Sequence, residues 1–335
     1  MDLELLRERD RIFREIRSFF DKRGYLGVDT PLLAPDLIPE TCLEVFETSY
    51  LPPPGSVLRE ARPYWLIPSP EIWMKRLIAR HRVSIYQICK CFRNGESAGR
   101  LHSPEFTMLE YYTMEADYQD SLTLTEELFA ALLPPGSAGD LRPPFLRITM
   151  EEAFSRWAGF SLAEAAEGGT LEAEARRLGL DPPAGTGRAG LYDLIFIHAV
   201  EPSLPRDRPV ALLDYPAFVP CLAQKKAGTG TAERWELYIR GIELANCYSE
   251  ERDPERVRRY FEAEGALKSR TALVPHAVNR AYPDIFLPRP GPGGASLPFP
   301  RCSGVALGLD RLIMALSGRR TIDAVLPFPM GEATQ

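Results

Sequence analysis

The sequence predicts an α+β fold: an antiparallel β-sheet flanked by helices, with a helical insertion. Three observations predict it. Hairpin-like strand pairs dominate, and the regular strand–helix alternation of a parallel sheet is missing. The stretch from about residue 115 to 205 reads as mostly helical, interrupted only by Pro and Gly. With 335 residues, 45% hydrophobic and 26% charged, the chain can bury a sizeable core, and it reads as one domain spanning 1–335.

The elements follow in order. Leu5, Ile12, Phe13, Ile16, Phe19 and Phe20 recur at helical spacing, so Leu3 to Arg23 is a helix stopped by Gly24. Short strands follow at Tyr25–Asp29 and Tyr64–Ile67. Ser69-Pro70-Glu71 then opens a helix to about Arg80: Ser69 suits the N-cap, Pro70 the first helical position and Glu71 the positive helix end. Val83–Phe92 and Glu105–Met114 form a long hairpin around a polar loop, Arg93–Ser103. Later come a strand at Glu233–Asn246, a helix at Asp253–Glu264 and a closing strand-to-helix passage at Gly304–Ser317. The Pro-rich stretches Leu51–Gly55, Leu133–Gly136 and Leu287–Pro300 read as surface connections.

Composition narrows the function classes. The amino terminus, Met1-Asp2-Leu3-Glu4, is acidic and unlike a signal peptide, and no apolar run reaches membrane-spanning length. Six scattered cysteines without a CxxC pair argue against a zinc site or disulfide framework and fit a reducing cytoplasm. A net charge of −6 argues weakly against bulk capture of nucleic acid, although the 40 Lys and Arg leave room for a basic patch.

Three stretches carry candidate chemistry. In Phe92 to Tyr112, alternation puts Phe106, Met108, Glu110 and Tyr112 on one strand face. Glu110 there needs a cation or water if buried; taken alone, the spacing favours an exposed face or a pair with a core-edge arginine. In Gly241 to Glu250, Glu243 and Glu250 flank Asn246, and two carboxylates near one turn suit Mg²⁺ or a plain acidic turn. In Gly304 to Leu312, two glycines and Arg311 at a helix start suit a phosphate, or else packing glycines beside a surface Asp310–Arg311 pair.

Taken together and in order, these stretches resemble the motifs of class II aminoacyl-tRNA synthetases of the lysyl type. Arg93 and Glu96 resemble the motif 2 arginine and glutamate, His102-Ser103-Pro104-Glu105-Phe106 that family's HNPEF, and Gly308-Leu309-Asp310-Arg311 motif 3. Val28-Asp29-Thr30-Pro31 is similar to motif 1, whose proline lies at the family's dimer interface. The likeness runs from about residue 10 to about 315 and leaves no N-terminal OB-fold anticodon-binding domain. A chain of that kind resembles the elongation factor P–(R)-β-lysine ligases. Ser69 and Ala306, where the synthetases usually carry alanine and glycine, favour this branch. Each contributes about 1–3 kcal/mol of discrimination at best.

The resemblance implies ATP and Mg²⁺, lysine or (R)-β-lysine as substrate, elongation factor P rather than tRNA as acceptor, and a homodimer. It implies that Arg93 bridges the substrate carboxylate and the α-phosphate, while Arg311 holds the γ-phosphate. Phe106 stacks on adenine and Glu96 accepts its amine; Asn94, Ser103, Leu244 and Gly308 complete the ATP contacts. Glu243 and Glu250 hold Mg²⁺. Ser69, Pro70, Glu71, Asn246 and Ala306 line the amino and carboxylate end of the amino acid, and Glu110, Tyr112 and Glu250 surround its ε-ammonium. The sequence departs from the pattern at Ser103 (asparagine is usual), at Gly95, which displaces the glutamate to Glu96, and at Cys247 (glycine is usual). Two other readings remain at this point: an enzyme charging tRNA or another acceptor, and a non-catalytic amino-acid-binding paralogue.

Overall fold

The computed structural model describes residues 3–56, 60–95, 99–133, 136 and 139–330. They form two compact units. The first comprises residues up to Glu115, Arg252–Cys302 and the chain from Ala306; the second comprises Ala116–Glu251 with Ser303–Val305.

The first unit opens with the helix Leu3–Asp21, which buries Leu5, Ile12, Ile16, Phe19 and Phe20 along one stripe. Gly24, at φ 76°, turns the chain out of it. Phe20 stacks on Tyr86 at 4.9 Å and lies 4.8 Å from Tyr111, which joins the helix to the strands Ile85–Phe92 and Glu105–Met114. Strand order here is Leu26–Gly27, Ile85–Phe92, Glu105–Met114, then Cys302 with Ala306–Gly308. The central hairpin is antiparallel in unbroken register from Ile85↔Tyr112 to Phe92↔Glu105. Both of its faces are covered: Thr107, Leu109 and Tyr111 are buried, and so are Met108, Glu110 and Tyr112. A smaller three-stranded sheet orders Leu33–Ala34, Arg62–Leu66 and Phe46–Tyr50.

The second unit holds the predicted helical run, starting at Tyr118–Leu132 behind a capping box of Asp117 and Asp120. Its core gathers Phe154, Tyr192, Ile195 and Val200 from the helices against Val210 and Leu212 of a strand. Strand order is Ser303–Val305, Ile242–Ser249, Thr231–Ile239, Val210–Pro216, Leu146–Thr149.

The α+β class holds, with three corrections of detail. Pairing is mixed rather than antiparallel throughout: Leu26–Gly27 pairs parallel with Ile85–Tyr86, and Leu146–Thr149 with Val210–Leu213. The single strand expected at Glu233–Asn246 is a hairpin, because Arg240 (φ 54°) and Gly241 (φ 76°) form a left-handed two-residue turn. Ser69 does not cap. The helix starts at Glu71, so the cap position falls to Pro70, which has no side-chain oxygen; its carbonyl accepts the Trp73 and Met74 amides at 3.0 Å each.

Candidate active site

The predicted residues divide between the two units. Ser69, Pro70, Glu71, Arg93, Asn94, Ser103, Phe106, Glu110, Tyr112, Ala306, Gly308 and Arg311 belong to the first, and Glu243, Leu244, Asn246 and Glu250 to the second. Glu96 lies outside the described residues.

In the first unit, Glu71 stands on the first turn of its helix and accepts Lys75 Nζ at 2.6 Å, one turn on. Lys75 is only 1% exposed, so this ion pair is walled by protein. The sequence reading missed Lys75. Its spacing from Glu71 was a signal, but one shared by many exposed helical pairs.

Arg93 leaves the end of the Ile85–Phe92 strand, where its amide donates to Pro104 O at 2.9 Å. Its guanidinium lies 5.2 Å from the centroid of the Phe106 ring. Asn94 has a structural task. Its amide donates to Glu44 O at 2.9 Å and its side chain to Val45 O at 3.2 Å. Ser103 is buried and Phe106 half-buried.

Glu110 is 3% exposed, so the exposed-face reading of its strand is excluded. Tyr112 donates its hydroxyl to Glu110 Oε1 at 2.7 Å, while Oε2 is buried without a hydrogen-bond partner among the described residues. Burial, and then the Glu71 carboxylate, raise the Glu110 carboxyl well above the ordinary range; the Tyr112 hydrogen bond and Lys75 pull the other way. An ammonium of the right length would supply what that buried oxygen lacks.

Asp310 is also buried, at 1% exposure, so it is no surface partner of Arg311. Arg311 points Nε to Leu101 O at 3.2 Å, on the helix Leu309–Ser317 that begins after Gly308.

In the second unit, a bulge in the Ile242–Ser249 strand decides which side chains share a face. Glu243 lies opposite Tyr238 and Ala245 opposite Leu237, so one extra residue is taken up between them. Asn246 then faces Glu236 and Tyr248 faces Arg234. Directly opposed residues point the same way, so Glu243, Asn246, Tyr248 and Glu236 share one face, and alternation extends it to Glu250. Without the bulge Glu243 would point away from Asn246. Glu250 is 2% exposed. Gln224 Nε2 donates to its carbonyl at 2.7 Å, and Ser249 Oγ beside it accepts the Tyr118 amide at 2.9 Å.

Glu236 is a second carboxylate that sequence reasoning missed. It pairs with Arg234 and accepts Tyr238 OH at 2.9 Å. Its signal was the alternation of Thr231–Ile239, hidden because the turn at Arg240-Gly241 went unread. Among the described residues no three His, Cys, Asp or Glu side chains gather as a metal site, and Glu236 is engaged by Arg234, so Glu243 and Glu250 are the two whose hard oxygens suit Mg²⁺ by donor chemistry.

A family model described as tRNA synthetases class II (D, K and N) matches residues 3–332. The chain belongs to the class II tRNA synthetase family. Relatives that match nearly its whole length are named as ligases. The chain is 34% identical over 332 residues to an elongation factor P–(R)-β-lysine ligase of Avibacterium paragallinarum, covering 99% of this chain and 97% of that one. It is 35% identical over 330 residues to the ligase of that name from Vibrio vulnificus (strain YJ016), covering 98% and 96%, and 34% identical over 330 residues to that of Vibrio atlanticus (strain LGP32), with the same coverage. The protein is therefore a class II synthetase-like ligase. Among its described residues, no helix is long and apolar enough to cross a membrane.

Proposed function

We propose that this ligase activates lysine or (R)-β-lysine with ATP as an acyl-adenylate and passes the acyl group to a lysine side chain of elongation factor P. The observation that carries the reading is Glu110: a buried carboxylate, bonded on one oxygen by Tyr112, whose other oxygen has no hydrogen-bond partner among the described residues. The names of the full-length relatives supply the acceptor.

A carboxylate is a poor electrophile. Its oxygen attacks the α-phosphorus of ATP, the bond to pyrophosphate breaks, and a mixed anhydride with AMP results. Nucleophile and phosphate are both anionic, so the protein's work is positioning and charge neutralisation. Arg93, planar and always cationic, suits both anions and takes the substrate carboxylate and the α-phosphate. Arg311 takes the far end of the triphosphate, and Phe106, with Arg93 over its ring, is the face on which adenine stacks. Bound Mg²⁺ would neutralise phosphate oxygens; Glu243 and Glu250 are the residues that would hold it. Glu110 and Tyr112 take the ε-ammonium. The acceptor's amine attacks in its neutral form, expelling AMP and losing a proton.

The enzyme acts as a homodimer. Pro31 of the motif 1 segment is exposed between Leu26 (57%) and Leu33 (46%), a surface that a second copy would cover.

Lysine-dependent ATP–pyrophosphate exchange, followed by transfer of labelled amino acid to elongation factor P, tests the reading. No exchange by folded protein would sink adenylation; label appearing on tRNA and not on the protein would sink the acceptor.

A further inference from the structure

Cys89 and Cys91 are two apart in the strand Ile85–Phe92, a spacing that puts both side chains on one face. They turn toward each other, with the two Sγ atoms in hydrogen-bond contact at 3.8 Å. Both are free thiols; Cys91 is buried and Cys89 half-buried. The cross-strand register fixes what they stand beside. Cys91 lies opposite Phe106, Cys89 opposite Met108 and Gln87 opposite Glu110. Directly opposed residues share a face, so the thiols belong to the face that carries Phe106 and Glu110. Arg93 reaches over the same side, its guanidinium 5.2 Å from the centroid of the Phe106 ring. The dithiol therefore sits in the middle of that face, between Arg93 at the strand end and Glu110.

The separation of the sulfurs decides what the pair can do. Residues two apart in one strand have Cβ atoms about 6.7 Å apart, whereas a disulfide needs about 3.5–4.5 Å. Closing one would pinch a strand that is paired without a break from Ile85 to Phe92. A tetrahedral ion with metal–sulfur bonds of about 2.3 Å instead spans sulfurs about 3.8 Å apart. These thiols already hold that spacing, so the strand need not move. Each sulfur gives its proton to solvent and a lone pair to the ion, and nothing is oxidised or reduced. Among the described residues no three His, Cys, Asp or Glu side chains gather as a metal site. The pair is thus an open, two-ligand chelate and not a closed structural zinc site; water takes the remaining positions.

We propose that Cys89 and Cys91 chelate a thiophilic divalent cation of the zinc type, and that this ion and the amino acid exclude each other. A diamino acid with its carboxylate at Arg93 and its terminal amine at Glu110 passes over both sulfurs. An ion seated there with its waters fills the floor that the substrate's methylene chain needs. The exclusion rests on the adenylation reading; the chelate does not.

Cadmium, which shares zinc's tetrahedral thiolate chemistry and shows thiolate-to-metal charge transfer in the ultraviolet, is the probe. The whole chain should bind one cadmium with the absorbance of two thiolates, and zinc should displace it. Loss of a second-shell partner costs about 10- to 100-fold in metal affinity. Cys89→Ser and Cys91→Ala each remove a ligand and should cost more. Wild-type affinity in either variant overturns the chelate. A second measurement needs no variant: zinc should slow alkylation of Cys89 by iodoacetamide and leave the exposed Cys42 unaffected. Equal rates at Cys89 with and without zinc overturn the proposal.

At fixed free zinc, the KM for lysine in pyrophosphate exchange should rise with little change in kcat, and lysine should weaken zinc binding in turn. Inhibition that lysine does not relieve overturns the exclusion. If no amino acid supports exchange, adenylation falls, while the cadmium titration still decides whether the dithiol is a metal site.

Discussion

Arg9 and Asp310, 301 positions apart, meet through Arg9 Nη1 and Asp310 Oδ1 at 2.7 Å inside the first unit. The other oxygen of Asp310 accepts the Thr107 amide at 2.6 Å, and Arg9 Nη1 also donates to Val325 O at 2.9 Å. One carboxylate thereby ties the amino-terminal helix to the strand bearing Phe106 and Glu110 and to the first turn of the helix bearing Arg311. Asp310→Ala leaves Arg9 buried without its counter-charge and frees the Thr107 amide. Breaking such a pair from one side costs about 3–5 kcal/mol. The expected outcome is a lower urea midpoint and a raised KM for ATP. An unchanged midpoint would contradict the bracing role.

Glu110 makes a prediction of opposite sign for stability. Its folded carboxyl is raised above the ordinary value, first by burial, then by Glu71 and Cys89, against Tyr112 and Lys75. A carboxyl raised on folding favours the fold below its unfolded value, and that contribution is lost as pH rises through the folded value. Glu110→Gln cannot ionise, so the free protein's Tm should fall less than the wild type's as pH rises above the ordinary carboxylate range. The same variant should weaken lysine binding more than binding of an ε-hydroxy analogue. Equal losses for the two ligands would remove the charge role of Glu110.

Glu40 sets a defined window for a similar measurement. With its carboxyl lifted from 4.5 to about 7, its favourable contribution is complete below about 4.5 and is lost as pH rises through about 7. Glu71, Cys42, Arg93, Lys75 and Lys268 are the charged or titratable groups acting on it or beside it. Glu40→Gln should flatten the stability–pH curve of the free protein across that window; a curve parallel to the wild type's would show that Glu40 does not titrate there.

Much of this was legible in the residues. Alternation from Glu105 to Met114 and the helical stripe from Leu5 to Phe20 were both realised. The losses have physical causes. Arg240-Gly241 turns a hairpin without the Asn-Gly or Asp-Gly that usually announces one, so two strands read as a single strand and Glu236 was lost with the turn. Val210 to Leu213 is a short apolar run between prolines, for which periodicity cannot distinguish strand from helix.

Arg93 supports a prediction about function alone. It is half-buried at a strand end, and its backbone amide bond to Pro104 O survives any side-chain change. Arg93→Ala should abolish pyrophosphate exchange with little change in Tm. Arg93→Lys keeps the charge but loses the planar fork, and should recover only a minor part of the rate. Full activity in the lysine variant would show that a point charge suffices and that no bidentate bridge is made.

The bulge between Glu243 and Ala245 leads to a prediction about the metal. It turns Glu243 onto the face of Asn246, Glu236 and Glu250, so metal affinity should depend on that local geometry as well as on carboxylate number. Glu243→Gln should raise the Mg²⁺ concentration needed for half-maximal exchange, and excess Mg²⁺ should restore part of the rate. Deleting Leu244, the residue the bulge accommodates, leaves all the carboxylates in the sequence but reverses the facing of Glu243. That deletion should therefore depress exchange at least as strongly as Glu243→Gln, provided circular dichroism shows the fold retained. A folded deletion variant with wild-type Mg²⁺ dependence would show that Glu243 takes no part in holding the metal.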